Sequence, residues 1–154
     1  MSIAPASRPL GAASLPAAVG ALRAHGLRVT AARRLVLEAL FAASEPVGAE
    51  AIARGLDGRL PASDLASVYR NLETLESIGL VRHVHLGHGP GRYALAGRGG
   101  WAACERCGRH APVPPGRLAR IRAVVREATG LEAGFDHFPL VGLCARCAVT
   151  GAAR

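Results

Sequence analysis

The stretch "LPASDLASVYRNLETLESIGLVRHVHLGHGPGRYAL", residues 60–95, decides the fold of the N-terminal half of the chain. Apolar residues recur at helical spacing from Leu65 to Leu75, and Ser63 is placed to cap the start of this helix. Gly79 ends the helix, "LVRHVHL" then alternates as a strand does, "GHGPG" turns and "RYALA" returns. Packed helices that are followed by a two-stranded hairpin indicate a winged helix-turn-helix.

The face of this helix that lies away from the apolar stripe carries hydroxyls, an amide and a guanidinium but no acid. Its members are Ser63, Ser67, Arg70, Asn71 and Thr74. The major groove of B-DNA admits one helix, so Arg70 is suited to a guanine or a phosphate, and Ser63, Ser67 and Asn71 to phosphates or base edges. Tyr69 lies nearer the apolar stripe, and spacing alone leaves a packing residue and a DNA contact equally open. The alternative is a helical interaction domain whose polar face meets only water.

Helical patterns also precede this stretch. Leu15–Ala24 is predicted to form a helix that ends at Gly26, Thr30 is predicted to cap a second helix, and Gly48–Gly55 a third, shorter one. We therefore assign residues 15–96 to a winged-helix DNA-binding domain. Residues 1–14, which are rich in Ala, Pro and Ser, are predicted to be a disordered tail and not a signal peptide.

The second half of the chain is predicted to be a separate, mixed domain, so that the whole fold is α+β. "GRGG", residues 97–100, is interpreted as a hinge, and residues 101–154 as a small mixed α/β domain with a basic helix from about Pro115 to Thr129. A unit of this size buries little apolar surface. It therefore needs a staple or a partner.

Two C-x2-C pairs supply such a staple: Cys104 with Cys107, and Cys144 with Cys147. Four thiolates at this spacing suit tetrahedral Zn²⁺, and a shell of four thiolates with no open position is structural and not catalytic. The alternative, a thiol-disulfide pair, usually places one C-x2-C at the start of a helix in a thioredoxin-like context, which is absent here. We predict a structural zinc site.

Charge and hydropathy narrow the class further. The formal net charge of +8 favours a polyanionic partner such as nucleic acid, although an Arg-rich composition that serves only solubility would give the same balance. No apolar run reaches the roughly 18 residues of a membrane span. We expect a cytoplasmic protein that does not bind membranes.

Several motifs together resemble the ferric uptake regulator (Fur) family of bacterial repressors. "GLRVTAARRLVLEAL" resembles the family's helix opening, residues 60–95 resemble its signature with Asp64 in place of Ser and Ser67 in place of Thr, and "CERCG" and "VGLCARC" resemble its zinc pairs. The resemblance implies a homodimeric, metal-dependent repressor that binds double-stranded DNA at AT-rich inverted repeats. It implies that residues 101–154 form the zinc-binding dimerisation domain. It also implies that Tyr69 and Arg70 approach the DNA and that Arg28 reaches the minor groove.

The same resemblance shows where a regulatory metal site between the domains should lie, and there the chain departs from the family. Positions that carry histidines or acids in the family, or a cysteine in its zinc-sensing branch, are occupied here by side chains that bind no metal: Pro46, Ala94, Ala96, Gly99, Trp101 and Pro112. The cysteines are therefore predicted to form a structural metal site, and the sensing ligands expected beside them are missing.

Other histidines could form a relocated regulatory site for a divalent metal whose identity is unknown. His83 and His85 share a strand face, His88 follows in the turn, and His110 and His137 lie in the second domain. The alternative for His83, His85 and His88 is a position near phosphate on the wing.

Three readings of the function follow. The first is a metal-dependent or metal-stabilised dimeric repressor of the Fur family that controls metal homeostasis. The second is a Fur-like regulator that has lost the usual metal sensing and responds to another signal or binds constitutively. The third is a zinc-dependent or thiol-dependent enzyme, which the absence of an open metal position beside a general base disfavours. We expect a regulator and not an enzyme.

Overall fold

The computed structural model describes residues 10–151, which form two compact units. The first unit comprises residues 10–83 and 92–97, and the second comprises residues 84–91 and 98–151. The turn of the hairpin, residues 84–91, therefore groups with the second unit, although the sequence places it in the winged-helix domain.

The predicted tail, residues 1–14, lies outside the described residues as far as residue 9. The rest of this segment, residues 10–14, contacts the first unit. The N–H of Leu10 donates to the carbonyl of Gly79 at 3.0 Å, and Ala12 is buried in the core of the first unit. Burial of even a small side chain holds the chain against this unit before the first helix begins.

Each of the three longer helices of the first unit begins at a side-chain cap. The helices are α1 (Leu15–Ala24), α2 (Ala31–Ala42), α3 (Ala49–Ala53), the single turn α4 (Gly55–Gly58) and α5 (Leu65–Ser77). Ser14 accepts from the N–H of Ala17 at 3.3 Å, and Thr30 from the N–H of Arg33 at 3.2 Å. Such caps satisfy N–H groups that have no partner inside the helix. The predicted Thr30 cap is confirmed.

The core of the first unit consists of aliphatic side chains from all of its longer elements. Its largest members are Leu22, Val36, Leu37, Leu40, Ile52, Val68, Leu72, Leu75, Leu80 and Leu95. Each fully buried Leu, Ile or Val contributes about 1.5–3 kcal/mol relative to an exposed one. This core holds α5 against α2 and α3, which is the packing that a helix-turn-helix requires.

The turn between α3 and α5 has a left-handed backbone over four successive residues. The φ angles are 73° at Gly55, 51° at Leu56, 59° at Asp57 and 82° at Gly58. A non-glycine residue in this conformation costs roughly 1–2 kcal/mol. Leu56 is buried in the core, and this burial offsets its strain.

The wing is a two-stranded sheet of β1 (Val81–Val84) and β2 (Arg92–Leu95). Val47, in the loop before α3, adds a short third segment to it. The N–H of Val47 donates to the carbonyl of Tyr93 at 3.0 Å, and the N–H of Tyr93 donates back at 2.7 Å. The predicted winged helix is therefore confirmed.

The second unit is a three-stranded sheet with two helices. Its elements are β3 (Gly100–Cys104), β4 (His110–Val113), α6 (Pro115–Thr129), β5 (Leu140–Gly142) and α7 (Ala145–Gly151). The sheet order is β4-β3-β5, with β4 antiparallel and β5 parallel to β3. Leu118 is the buried residue of α6, so this helix contributes little to the core.

Other predictions hold with small shifts. The α+β class and the basic helix Pro115–Thr129 are confirmed. Gly100 already pairs with Val113 in the sheet, so the segment interpreted as a hinge, residues 97–100, is partly strand. No helix within residues 10–151 is long and apolar enough to cross a membrane.

The turn before α5 generates a prediction about stability. A Cβ atom at Gly55 would lie 2.0 Å from the carbonyl oxygen of Leu60, whereas at Gly58, which also has a positive φ, nothing lies within 4 Å. We expect Gly55→Ala to lower the free energy of unfolding by at least about 2 kcal/mol more than Gly58→Ala does, because only Gly55 combines strain with a backbone clash. Thermal unfolding of both variants measures the difference, and equal losses would contradict the clash.

Candidate functional site

Helix α5 begins one residue later than the sequence suggests. Asp64 is its cap, and its carboxylate accepts from the N–H of Ser67 at 2.8 Å. Ser63, the predicted cap, instead donates its backbone N–H to the carbonyl of Ala53 at 2.8 Å, and its side chain is half-buried. A carboxylate is a stronger acceptor than a hydroxyl at a helix N-terminus, where the helix dipole is positive.

Tyr69 and Arg70 are both exposed on the outer face of α5. Tyr69 is 38% exposed, and its hydroxyl donates to the carboxylate of Glu50 in α3 at 3.2 Å. Desolvation and then this hydrogen bond raise the pKa of Tyr69 above its usual value, so the phenol stays protonated and able to donate. Arg70 is exposed, with Nη2 at 3.9 Å from the carboxylate of Asp64. A tyrosine and an arginine therefore stand side by side on the face that the sequence assigns to DNA.

Asn71 does not lie on that face, and this corrects the sequence prediction. It is 8% exposed and lies among the buried residues of α5, whereas Leu65, predicted to be in the apolar stripe, is 39% exposed. The Asn71 amide donates to the carbonyl of Ser67 at 2.9 Å, and its oxygen accepts from Nε of Arg33 at 3.2 Å. Both ends of the amide are thus used inside the domain.

The other residues that the sequence predicts to contact DNA differ in how exposed they are. Arg28 is exposed in the segment between α1 and α2, and its carbonyl accepts from Nη1 of Arg33 at 2.7 Å. Ser67 is half-buried, and its hydroxyl lies 3.5 Å from the Asn71 amide nitrogen. Sequence reasoning gave no role to Arg33 or Glu50, because each acts on a partner that is distant in the chain.

The four predicted zinc ligands come together in the second unit. Their sulfur atoms all lie within 4.8 Å of one another, with Sγ of Cys107 at 3.8 Å from Sγ of Cys144. Tetrahedral Zn²⁺ with Zn–S bonds near 2.3 Å places its sulfur ligands about 3.8 Å apart. The cluster therefore fits the metal that its spacing predicts.

Local backbone geometry explains how the two pairs meet. The N–H of Gly108 donates to the carbonyl of Cys104 at 2.9 Å, which folds the first pair into a tight turn. Parallel pairing sets Cys104 opposite Gly142, so the chain arrives at Cys144 beside the end of β3. The N–H of Cys147 donates to the carbonyl of Cys144 at 2.9 Å and opens α7.

The thiols differ in acidity because their surroundings differ. The N–H of Cys144 donates to Sγ of Cys104 at 3.4 Å and is the main reason that the pKa of Cys104 falls to about 6. Burial acts the other way on Cys147 and raises the pKa of its thiol to about 12. Four thiolates this close repel one another, so all four can be deprotonated together only around a cation.

Two of the five candidate histidines meet within the second unit. The rings of His85 and His137 have centroids 5.1 Å apart, and a ring nitrogen of one lies within 4.8 Å of a ring nitrogen of the other. The N–H of His85 also donates to the carbonyl of His137 at 3.1 Å. Phe138 stacks on His85 with a centroid distance of 5.7 Å. This pair can supply two imidazole ligands to a divalent metal.

Three further candidate histidines remain, and each has its own contacts. His83, in the first unit, is held by a hydrogen bond between its Nδ1 and the carboxylate of Glu76, an arrangement that makes Nε2 the accepting nitrogen. His88 is exposed in the hairpin turn. The rings of His110 and Trp101 pack in a T-shaped pair with centroids 5.6 Å apart.

Four of the six positions at which the resemblance implies sensing ligands are buried, whereas Ala94 is half-buried and Pro112 is exposed. Pro46 and Ala96 are buried, and Trp101 is a core residue. Gly99 has a φ of 94°, and a Cβ atom there would lie 2.1 Å from the carbonyl oxygen of Val113. Position 99 therefore admits no side chain without movement of the backbone.

Comparison with known proteins agrees with this geometry. The sequence model of the ferric uptake regulator family matches residues 24–133. The peroxide operon regulator of Bacillus subtilis (strain 168) is 27% identical over 139 residues, which cover 90% of this chain and 96% of that protein. The ferric uptake regulator of Pseudomonas aeruginosa, solved with manganese, is 28% identical to this chain and gives a TM-score of 0.63. The alignment covers 82% of this chain and 96% of that one.

A further likeness concerns the fold alone. The Helicobacter pylori ferric uptake regulator Fur, a structure with three functional metal-binding sites, gives a TM-score of 0.64 at 19% identity. The alignment covers 90% of this chain and 96% of that one.

Regulators of this family are metal-responsive, DNA-binding repressors that act as dimers. The match over residues 24–133 begins within α1 and ends beyond α6, so it takes in most of the elements described above. On these grounds the chain belongs to the ferric uptake regulator family.

Proposed function

We propose that this chain is a sequence-specific transcriptional repressor that acts in the cytoplasm on double-stranded DNA. The observation that carries the proposal is the outer face of α5, where Tyr69 and Arg70 stand exposed on a helix whose other face is fixed in a rigid core. A helix presented in this way enters the major groove of B-DNA. The net charge of +8 supplies the attraction to phosphate.

The proposed contacts follow from exposure. Arg70 and Tyr69 reach base edges or phosphates, and Arg28 enters the minor groove. Ser67 is half-buried and contributes at the start of α5, whereas Ser63 is removed from the set because its hydroxyl oxygen is buried. Asn71 is removed from this set because its amide is used inside the domain.

We further propose that the second unit pairs with a second copy of this chain. Its edge strand β5 leaves Val141 64% exposed, and α7 leaves Val149 75% exposed, with Leu143 exposed between them. A two-fold dimer covers such a patch symmetrically and presents two α5 helices to an inverted repeat, which we propose to be AT-rich.

The four cysteines are proposed to hold one structural Zn²⁺. The metal, when bound, supplies a redox-inert cross-link between the end of β3 and the start of α7. Because all four positions around it are taken by sulfur, no position remains for a substrate, which disfavours the alternative of a zinc enzyme.

His85 and His137 are proposed to form the core of a relocated regulatory site for a divalent metal, since they lie within reach of one ion. The competing proposal is a regulator without metal sensing. Its support is that the expected positions carry no metal-binding side chain and that Gly99 has no room for one. The two proposals differ in whether a second metal changes DNA binding.

Arg70 provides the test of DNA recognition. We expect Arg70→Ala to weaken binding to a DNA sequence selected by the wild-type protein by roughly 1–3 kcal/mol and to relax sequence preference, because a bidentate contact to a base is lost. Fluorescence anisotropy at several salt concentrations measures both effects. Arg126→Ala removes the same charge from a residue paired with Glu132 and should bind like the wild type. An Arg70→Ala protein with wild-type affinity and preference would exclude this helix from recognition.

The zinc scaffold is tested by single substitutions. Cys104→Ser or Cys147→Ser should reduce bound zinc from one ion per chain toward none and weaken the dimer, because a structural zinc contributes on the order of 10 kcal/mol to folding. Ala148→Ser, beside Cys147 and exposed, is the matched control. Elemental analysis and sedimentation give the two readouts. A folded, zinc-loaded dimer of Cys104→Ser would show that the four-thiolate assignment is wrong.

The regulatory histidines are tested on the zinc-loaded dimer. We expect Zn²⁺, Ni²⁺, Mn²⁺ or Fe²⁺ to change operator affinity in the wild type, and His85→Ala or His137→Ala to abolish that response, because each removes one of two adjacent imidazoles. His25→Ala, whose ring bonds the carbonyl of Ala21, is the control. No metal response in the wild type favours the regulator without metal sensing. A response that survives loss of both histidines assigns the ligands elsewhere.

A further inference from the structure

One side chain links the two segments to which we assign DNA contacts. The guanidinium of Arg33, in the first turn of α2, donates through Nη1 to the carbonyl of Arg28 at 2.7 Å and through Nε to the amide oxygen of Asn71 at 3.2 Å. Arg28 lies in the segment before α2, and Asn71 lies on the inner face of α5. All three residues belong to the first unit.

The bond to Asn71 is fixed from both sides. The amide nitrogen of Asn71 donates to the carbonyl of Ser67 at 2.9 Å, which orients the amide so that its oxygen faces Arg33. Asn71 is buried, so these bonds are shielded from water and are stronger than they would be on the surface. Loss of this charge-assisted hydrogen bond would leave a buried amide oxygen without a partner, which lowers the free energy of unfolding.

The geometry of the guanidinium matters for this link. Nε and Nη1 point in different directions within one rigid plane, so a single side chain holds two acceptors at a set separation. A lysine ammonium carries the same charge on a flexible stem and has no such fixed fork. The start of α2 does not depend on this side chain, because the Thr30 cap binds the backbone N–H of Arg33.

We propose that Arg33 is a positioning residue for DNA recognition: it fixes the Arg28 segment relative to helix α5 and does not itself contact DNA. This inference rests on the proposed function. A residue in the minor groove and a helix in the major groove must meet one DNA at the same time. Fixing their separation before binding avoids the cost of ordering the loop on the DNA.

The experiment measures affinity of the zinc-loaded wild-type dimer for a DNA sequence selected from a random pool and for an unrelated sequence. The variants are Arg33→Met, Arg33→Lys, Arg28→Ala and the double variant Arg28→Ala with Arg33→Met. Arg34→Met is the matched control, since Arg34 is the next residue and pairs with Glu38 at 2.8 Å on α2. Thermal unfolding of each variant is recorded alongside.

We expect Arg33→Met to weaken binding to the selected sequence roughly tenfold, or about 1.4 kcal/mol. Binding to the unrelated sequence, which depends on phosphate contacts, should change much less. Arg33→Lys should lose nearly as much as Arg33→Met, and Arg34→Met should bind like the wild type. The double variant should bind about as weakly as Arg28→Ala alone, because Arg33 acts through Arg28.

Other results would overturn the inference. Additive losses in the double variant would show that Arg33 acts independently of Arg28, and equal losses on both DNA sequences would show a role in stability alone. If Arg33→Met does not fold, Arg33→Lys decides, and wild-type binding by that variant rejects the proposal. A wild-type protein that selects no sequence defeats the proposed function itself. If the wild-type protein selects a sequence and Arg28→Ala binds it more weakly, but Arg33→Met binds it like the wild type, only this inference is wrong.

Discussion

The meeting of four sulfur atoms is the constraint on which the second unit depends. Helix α6 gives this unit a single buried residue, Leu118, and the three strands are short. Strand β5 pairs with β3 in a register that sets Cys104 opposite Gly142. This register places Cys144, just after β5, beside the first cysteine pair. A domain with so little apolar surface to bury needs a bond of this kind to define one arrangement.

The features that sequence reasoning found are those that a few neighbouring residues determine. A Thr30 cap, a glycine stop and a C-x2-C turn each depend on local backbone chemistry, and the structure contains all three. Asn71 was placed wrongly because it and Leu65 lie on opposite borders of the apolar stripe, where a period of about 100° per residue does not choose between them. The choice is made by Arg33, a residue 38 positions away.

The histidines show the same limit in another form. Five of them were candidates for one regulatory site, since imidazoles bind divalent metals wherever they converge. The fold brings His85 and His137 together, whereas the His110 ring packs on Trp101. His85 belongs to the hairpin turn and His137 to the segment before β5, so no spacing rule could have paired them. The sequence shows which residues can bind a metal, and the long-range topology of the fold decides which of these residues can bind the same ion.

Gly99 limits where a metal ligand can be added to this fold. Its backbone lies in the left-handed region, and the carbonyl of Val113 occupies the space that a Cβ atom would take. Val113 pairs with Gly100 in the sheet, so the backbone that blocks position 99 is itself fixed by strand pairing. A single substitution at Gly99 therefore cannot place a metal ligand there, because β4 would first have to move away from β3.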